Sequence, residues 1–127
     1  MFKILIVEDQ KGIAEGLEEL LEAQGYTVLR AFSGKEALEL VHKEKPQIIL
    51  LDLYLNDMSG LKVLQEAKAD SPKTCVIVLT GFDVETTRQK ALGLGADYFL
   101  TKPLPWPVLK DYLAEATKEI ANSNRGS

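Results

Sequence analysis

Acidic or reactive side chains follow a series of short apolar runs in this chain. Glu8 and Asp9 come after residues 2–7, Asp52 after 48–51, Thr80 after 75–79, and Lys102 just beyond a fourth run near residue 100. If those runs are strands of one parallel sheet, their carboxyl ends share a rim, and residues spread over the whole sequence meet in one pocket. Three carboxylates, a hydroxyl and an ammonium then converge. Hard carboxylate oxygens suit Mg2+, while the ammonium and the hydroxyl suit the remaining oxygens of a phosphoryl group.

Each residue also has a plainer reading. The pair Glu8 and Asp9 could simply cap the next helix, but two adjacent carboxylates at a buried strand end repel each other, and a bound cation relieves that repulsion. Asp52 follows four consecutive aliphatic residues and lies close to low-dielectric core, where a lysine or a metal must compensate its charge. The loop from Asp52 to the next helix is too long for it to act as that helix's cap. Thr80 and Gly81 offer a hydroxyl and an unobstructed amide, although a threonine at a strand end can reflect β-propensity alone. Lys102 precedes Pro103, which restricts it to extended geometry and makes their peptide bond a candidate for the cis form. Cys75 and His42 read as structural or surface residues.

Alternating apolar runs and segments of helical period are the signature of βα units around a parallel sheet, and five such units fit the 127 residues. The expected strands are 2–7, 27–31, 48–51, 75–79 and 98–100. Helices are expected at 12–23, from a start marked by Ser33 and Glu36 to a close at Pro46, and at 60–69, 84–94 and 105–121. In the first helix Ile13, Leu17, Leu20 and Leu21 form the apolar face; Ser33 and Glu36 are spaced to cap one another's amides at the start of the second. Residues 48–51 carry no polar alternation and read as the sheet centre. The fourth helix has few large apolar residues and is expected to be the least firmly packed. Residues 1–121 then form one domain, and 122–127 a frayed polar tail.

Composition narrows the function classes. A hydrophobic fraction of 46% supports one core without disulfides or structural zinc, and a net charge of -4 argues against wrapping a nucleic acid. With one cysteine and one histidine, an internal disulfide is excluded and ligands for zinc are too few. No signal peptide or membrane-length apolar run is visible, so a cytoplasmic protein without membrane insertion is expected.

The motifs together resemble the receiver domains of two-component response regulators. The resemblance rests on Ile-Leu-Ile-Val-Glu-Asp at 4–9, Leu-Asp-Leu at 51–53 with Met58 and Gly60 behind, Leu-Thr-Gly at 79–81, Gly-Ala-Asp-Tyr-Phe-Leu at 95–100, and Lys102 with Pro103. It implies a flavodoxin-like, doubly wound α/β sandwich with a five-stranded parallel sheet in the order 2-1-3-4-5. It further implies that Asp52 accepts a phosphoryl group from a sensor histidine kinase or phosphotransfer protein, with Glu8, Asp9, Asp52 and the Tyr54 carbonyl holding Mg2+. Thr80 and Lys102 would contact the phosphoryl group. Thr80 and Phe99 would form the switch that reshapes helix four, strand five and helix five for an effector protein or an output domain on a longer chain. The same surface leaves room for a homodimer. Such a protein assists its own phosphorylation and dephosphorylation without being an enzyme in the usual sense. Tyr54 and Phe82, each two residues beyond a site residue, would border the path of the hydrolytic water. Asn56, Leu104 and Phe99 depart from the commonest residues of the family at their positions.

Other classes fit less well. A flavin or nucleotide module would need a glycine-rich cradle after strand one, where Glu-Asp-Gln-Lys-Gly stands instead. A phosphatase with an aspartyl nucleophile would want a second acid two residues beyond Asp52, where Tyr54 stands. A receiver-like interaction module that is never phosphorylated has no need of the full set Glu8, Asp9, Asp52, Thr80 and Lys102.

Overall fold

The computed structural model describes residues 2–81 and 85–125. Its elements alternate along the chain: β1 (Lys3–Val7), α1 (Lys11–Ala23), β2 (Thr27–Ala31), α2 (Gly34–Glu44), β3 (Ile48–Leu51), α3 (Gly60–Asp70), β4 (Cys75–Thr80), α4 (Glu85–Gly93), β5 (Tyr98–Thr101) and α5 (Trp106–Arg125). The five strands are parallel and ordered β2-β1-β3-β4-β5, the flavodoxin-like arrangement. β1 and β3 share the sheet interior, and the order reverses direction beside them. That switch point leaves a crevice at the carboxyl ends of the strands.

Strand alternation builds two cores. Leu5, Val7, Ile49, Leu51, Val76 and Val78 face α2, α3 and α4, whereas Ile4, Ile6, Ile48, Leu50, Ile77 and Leu79 face α1 and α5. β3 and β4 are buried along their whole length, as strands covered on both faces must be. The helices present the stripes expected of them with three differences. In α1 the buried residues are Ala14, Leu17 and Leu21, while Ile13 and Leu20 remain 39% and 40% exposed. These two lie at the margin of the stripe and line a groove rather than the core. In α3, Val63 joins Leu64 and Ala67 inside, and Leu61 is only partly covered. The last helix continues to Arg125, past the expected end at residue 121.

The amino end of α2 holds a variant of the expected cap. Ser33 Oγ accepts from the Glu36 amide at 3.1 Å, but the Glu36 carboxylate accepts from Phe32 N at 2.8 Å, one residue before the cap. α4 buries only Ala91 and ends at Gly93, two residues before Gly95, whose φ of +103° favours glycine. Among the described residues, no helix is long and apolar enough to cross a membrane.

Candidate functional site

The backbone explains why the chemistry collects where it does. Parallel pairing sets Val7 beside Leu51, so Glu8 and Asp52 each leave the sheet at the same level, and Asp52 N donates to the Val7 carbonyl at 3.1 Å. Glu8 N donates in turn to the Ala31 carbonyl at 3.0 Å. On the other side, Lys102 N donates to the Thr80 carbonyl at 2.7 Å, extending the β4–β5 ladder by one step. The Lys102–Pro103 peptide bond is cis.

Side chains then close over this rim. Lys102 Nζ donates to Glu8 Oε2 at 2.7 Å and to Asp52 Oδ2 at 3.2 Å, joining residues 94 and 50 positions away. Glu8 and Asp52 are buried, 2% and 7% exposed, and Asp9 is half-buried. Oxygens of Glu8, Asp9 and Asp52 all lie within 4.8 Å of one another. Three carboxylates against one ammonium leave an excess of negative charge in a poorly solvated place. Burial pushes the Glu8 carboxyl above its ordinary range, and the Asp52 charge adds to this, against the opposing pull of Lys102. For Lys102, burial works against the ammonium, but the hydrogen bond to Glu8 and the charges of Asp52 and Glu8 outweigh it and hold the group above its ordinary value.

A divalent cation fits this charge balance and this donor set. Every candidate ligand is a carboxylate oxygen, the preference of Mg2+ and Ca2+ and not of softer ions, and the oxygens are near enough to share one ion.

The loop between β3 and α3 is tightly folded. Tyr54 N donates to Asp52 Oδ1 at 3.0 Å, Tyr54 and Ser59 form an isolated antiparallel bridge, and Gly60 N donates to the Leu53 carbonyl at 2.8 Å. Gly60 packs so closely on the Asp52 and Leu53 backbone that a Cβ there would collide with it. Tyr54 is 46% exposed. Beside Lys102 and Pro103 runs an apolar groove of about 410 Å³, walled by Ile13, Gly16, Leu20 and Leu104.

The structure thus brings Glu8, Asp9, Asp52 and Lys102 together and puts Thr80, fully buried, on the same rim. Phe99 lies one strand further out, half-buried, with the Arg88 guanidinium 4.7 Å above its ring. Phe82 lies outside the described residues. Sequence reasoning missed two participants, Arg88 and Asp57. The Asp57 carboxylate accepts from Gly34 N at 2.8 Å and from Lys35 N at 3.0 Å. An aspartate in a polar loop carries no local signal for so distant a partner.

Known proteins share the family and the fold. The sequence matches the response regulator receiver domain family over residues 4–114. A CheY-like receiver domain protein from Methanospirillum hungatei JF-1 is 31% identical, with a TM-score of 0.86 over 94% of this chain and 98% of its own. A response regulator from Burkholderia pseudomallei, described with a phosphorylated aspartic acid, calcium ion and citrate, is 31% identical, with a TM-score of 0.83 over 97% of this chain and 73% of its own. At 23% identity, a two-component response regulator from Clostridium difficile shares the fold with a TM-score of 0.91, over 94% of this chain and 98% of its own. With the family match spanning most of its length, the chain belongs to the response regulator receiver domains, the phosphoaccepting modules of two-component signalling.

Proposed function

We propose that Asp52 is the phosphoacceptor of this chain. An Asp52 oxygen attacks the phosphorus of a phosphohistidine on a sensor histidine kinase or phosphotransfer protein. The P–O bond forms as the P–N bond breaks, and the ring, protonated on its other nitrogen, takes the P–N electron pair and leaves as neutral imidazole. When held by Glu8, Asp9, Asp52 and the Tyr54 carbonyl, Mg2+ supplies positive charge that offsets the repulsion between the acceptor and the phosphoryl oxygens. Lys102 exchanges its carboxylate partners for a phosphoryl oxygen, and the Thr80 hydroxyl donates to another. The single observation that carries this reading is the bridge of Lys102 between Glu8 and Asp52 inside a cluster of three carboxylates. It sets an ammonium against the acceptor carboxylate and aligns it, and alignment with charge neutralisation is most of what a loose phosphoryl transfer needs.

The signalling step follows from the other flank. Movement of Thr80 toward the phosphoryl group vacates space, Phe99 turns inward, and α4 with β5 changes shape for an effector or output domain. The thin packing of α4 supports this role, because elements that switch come from the low-stability part of a structure. The donor protein must reach Asp52 from the side, and the groove along α1 offers it apolar footing next to Lys102. Ile13→Asp should slow transfer from the cognate kinase and leave phosphorylation by acetyl phosphate unchanged; equal slowing of both would remove the groove from this account.

The deciding experiment is intact-mass measurement after incubation with Mg2+ and acetyl phosphate. One phosphoryl adduct that requires Mg2+ and is lost in Asp52→Asn supports the proposal. Absence of an adduct in the wild-type protein points instead to an unphosphorylated interaction module. Tyr54 and Phe82 are assigned to shielding the acyl phosphate, and replacing both with smaller polar residues should alter its lifetime; an unaltered lifetime refutes that assignment.

A further inference from the structure

We propose that Asp57 is a positioning residue for the acidic site: by tying the 53–59 loop to the amino end of α2, it sets how tightly the site holds a divalent cation. The inference rests on the reading of Glu8, Asp9, Asp52 and Tyr54 as the cation ligands.

The two amides that Asp57 receives, Gly34 N and Lys35 N, belong to the first turn of α2, where no helical carbonyl is available to them. Its two oxygens take one amide each, so the carboxylate spans consecutive residues of a helix 22 and 23 positions earlier in the chain. Ser33 already caps the same helix locally through the Glu36 amide. α2 therefore has a cap of its own, and the second one serves the loop as much as the helix. Although exposed, the Asp57 carboxyl is held below its ordinary range, first by the Gly34 amide and then by that of Lys35, so the contact favours the charged form. The neighbouring Met58 packs so closely on Gly34 that a Cβ at residue 34 would collide with its side chain.

The base of the loop is fixed separately, by Tyr54 N on Asp52, the Tyr54–Ser59 bridge and Gly60 N on Leu53. Asp57 fixes the tip. A ligand supplied by main chain is only as well placed as its loop, and a loop that must be ordered upon binding weakens affinity.

The test is a calorimetric Mg2+ titration of the wild-type protein, Asp57→Ala, Asp57→Asn and Ser33→Ala, with melting curves recorded without metal. Asp57→Ala should weaken Mg2+ binding by about tenfold, the lower end of losses for groups that support metal ligands. Asp57→Asn keeps one acceptor oxygen and should fall between Ala and wild type, which also serves if the alanine variant folds poorly. Ser33→Ala should lower the melting temperature through the same helix start while leaving Mg2+ affinity at the wild-type value. If Asp57→Ala binds Mg2+ as well as wild type, or Ser33→Ala weakens binding equally, Asp57 merely caps α2 and the proposal is overturned. If the wild-type protein itself fails to bind Mg2+, the ligand reading falls and takes this inference with it, a result recognisable without any variant.

Discussion

Around Asp52, three strands end level with one another and their departing chains are held by backbone hydrogen bonds, with two buried carboxylates sharing one ammonium. On the flank formed by α4 and β5, one alanine is buried in the whole helix, and Phe99 is half-buried, packed against the margin of the core with the Arg88 guanidinium over its ring. The difference matches what the proposed function asks of each region. Buried charge is tolerated only where its partners are fixed, since a loosened partner leaves an unpaired ion in low dielectric. A surface that changes shape for a partner needs two packings of similar energy, which a densely packed helix cannot supply. Among the described residues, no buried side-chain polar atom lacks a partner, so the stiff region gains its rigidity without stranded groups.

The strongest way to break this contrast is Lys102→Ala. With the ammonium gone, Glu8 and Asp52 face each other uncompensated, and urea unfolding without metal should show a loss of about 2–3 kcal/mol. That is below the ~3–5 kcal/mol typical of fully buried pairs, because Lys102 remains 21% exposed. Added Mg2+ should recover more stability in the variant than in wild type. A variant as stable as wild type without metal would mean that the acidic cluster is well solvated after all.

A pair of glycines compares the two regions directly. Gly60→Ala drives a methyl group into the Asp52 and Leu53 backbone and should destabilise by about 1–3 kcal/mol, as overpacking does. Gly93→Ala, at the end of α4 with open space around it, should instead gain about 0.5 kcal/mol through helix propensity. Equal effects of the two, measured by thermal unfolding, would erase the distinction between stiff and soft flanks.

Arg88→Met removes the cation over Phe99 and should cost at most about 0.5–1 kcal/mol, the range for an exposed cation–π contact. Amide exchange in α4 and β5 should nonetheless quicken while exchange in β1 and β3 stays unchanged. Uniform quickening across the sheet would show that the two regions open as one unit.

The smallest effect concerns pH. The Asp57 carboxyl, ordinarily near 3.8, is lowered in the folded protein, so its contribution is present above that value and is lost as pH falls through the folded one. The stability difference between wild type and Asp57→Asn should therefore shrink as pH drops below about 4. A difference that stays constant down to pH 2 would separate the clamp from the charge of Asp57.

Much of this architecture was legible along the chain because its signals are local. Residues 48–51 are aliphatic without interruption, which reads as a strand covered on both faces, and the chain ends that strand where expected. Ser33 and Glu36 announced a helix start, though not that Glu36 would take the amide of Phe32. Ile13 and Leu20 were misjudged for a related reason: periodicity identifies an apolar face but not how much of it the sheet can cover, and these two border a groove.

What the sequence by itself determined is the alternation of strands and helices, the placement of Glu8, Asp9, Asp52, Thr80 and Lys102 at strand ends, and the charge that must be compensated there. Those properties depend on side-chain type and on periods of two or 3.6 residues, which are readable in one dimension. Tertiary structure alone decided that Lys102 bridges Glu8 and Asp52, that Arg88 covers Phe99, and that Asp57 reaches back to α2. Such contacts depend on angstrom-scale distances between segments tens of residues apart, and those distances exist only once sheet register and helix packing have closed the chain upon itself.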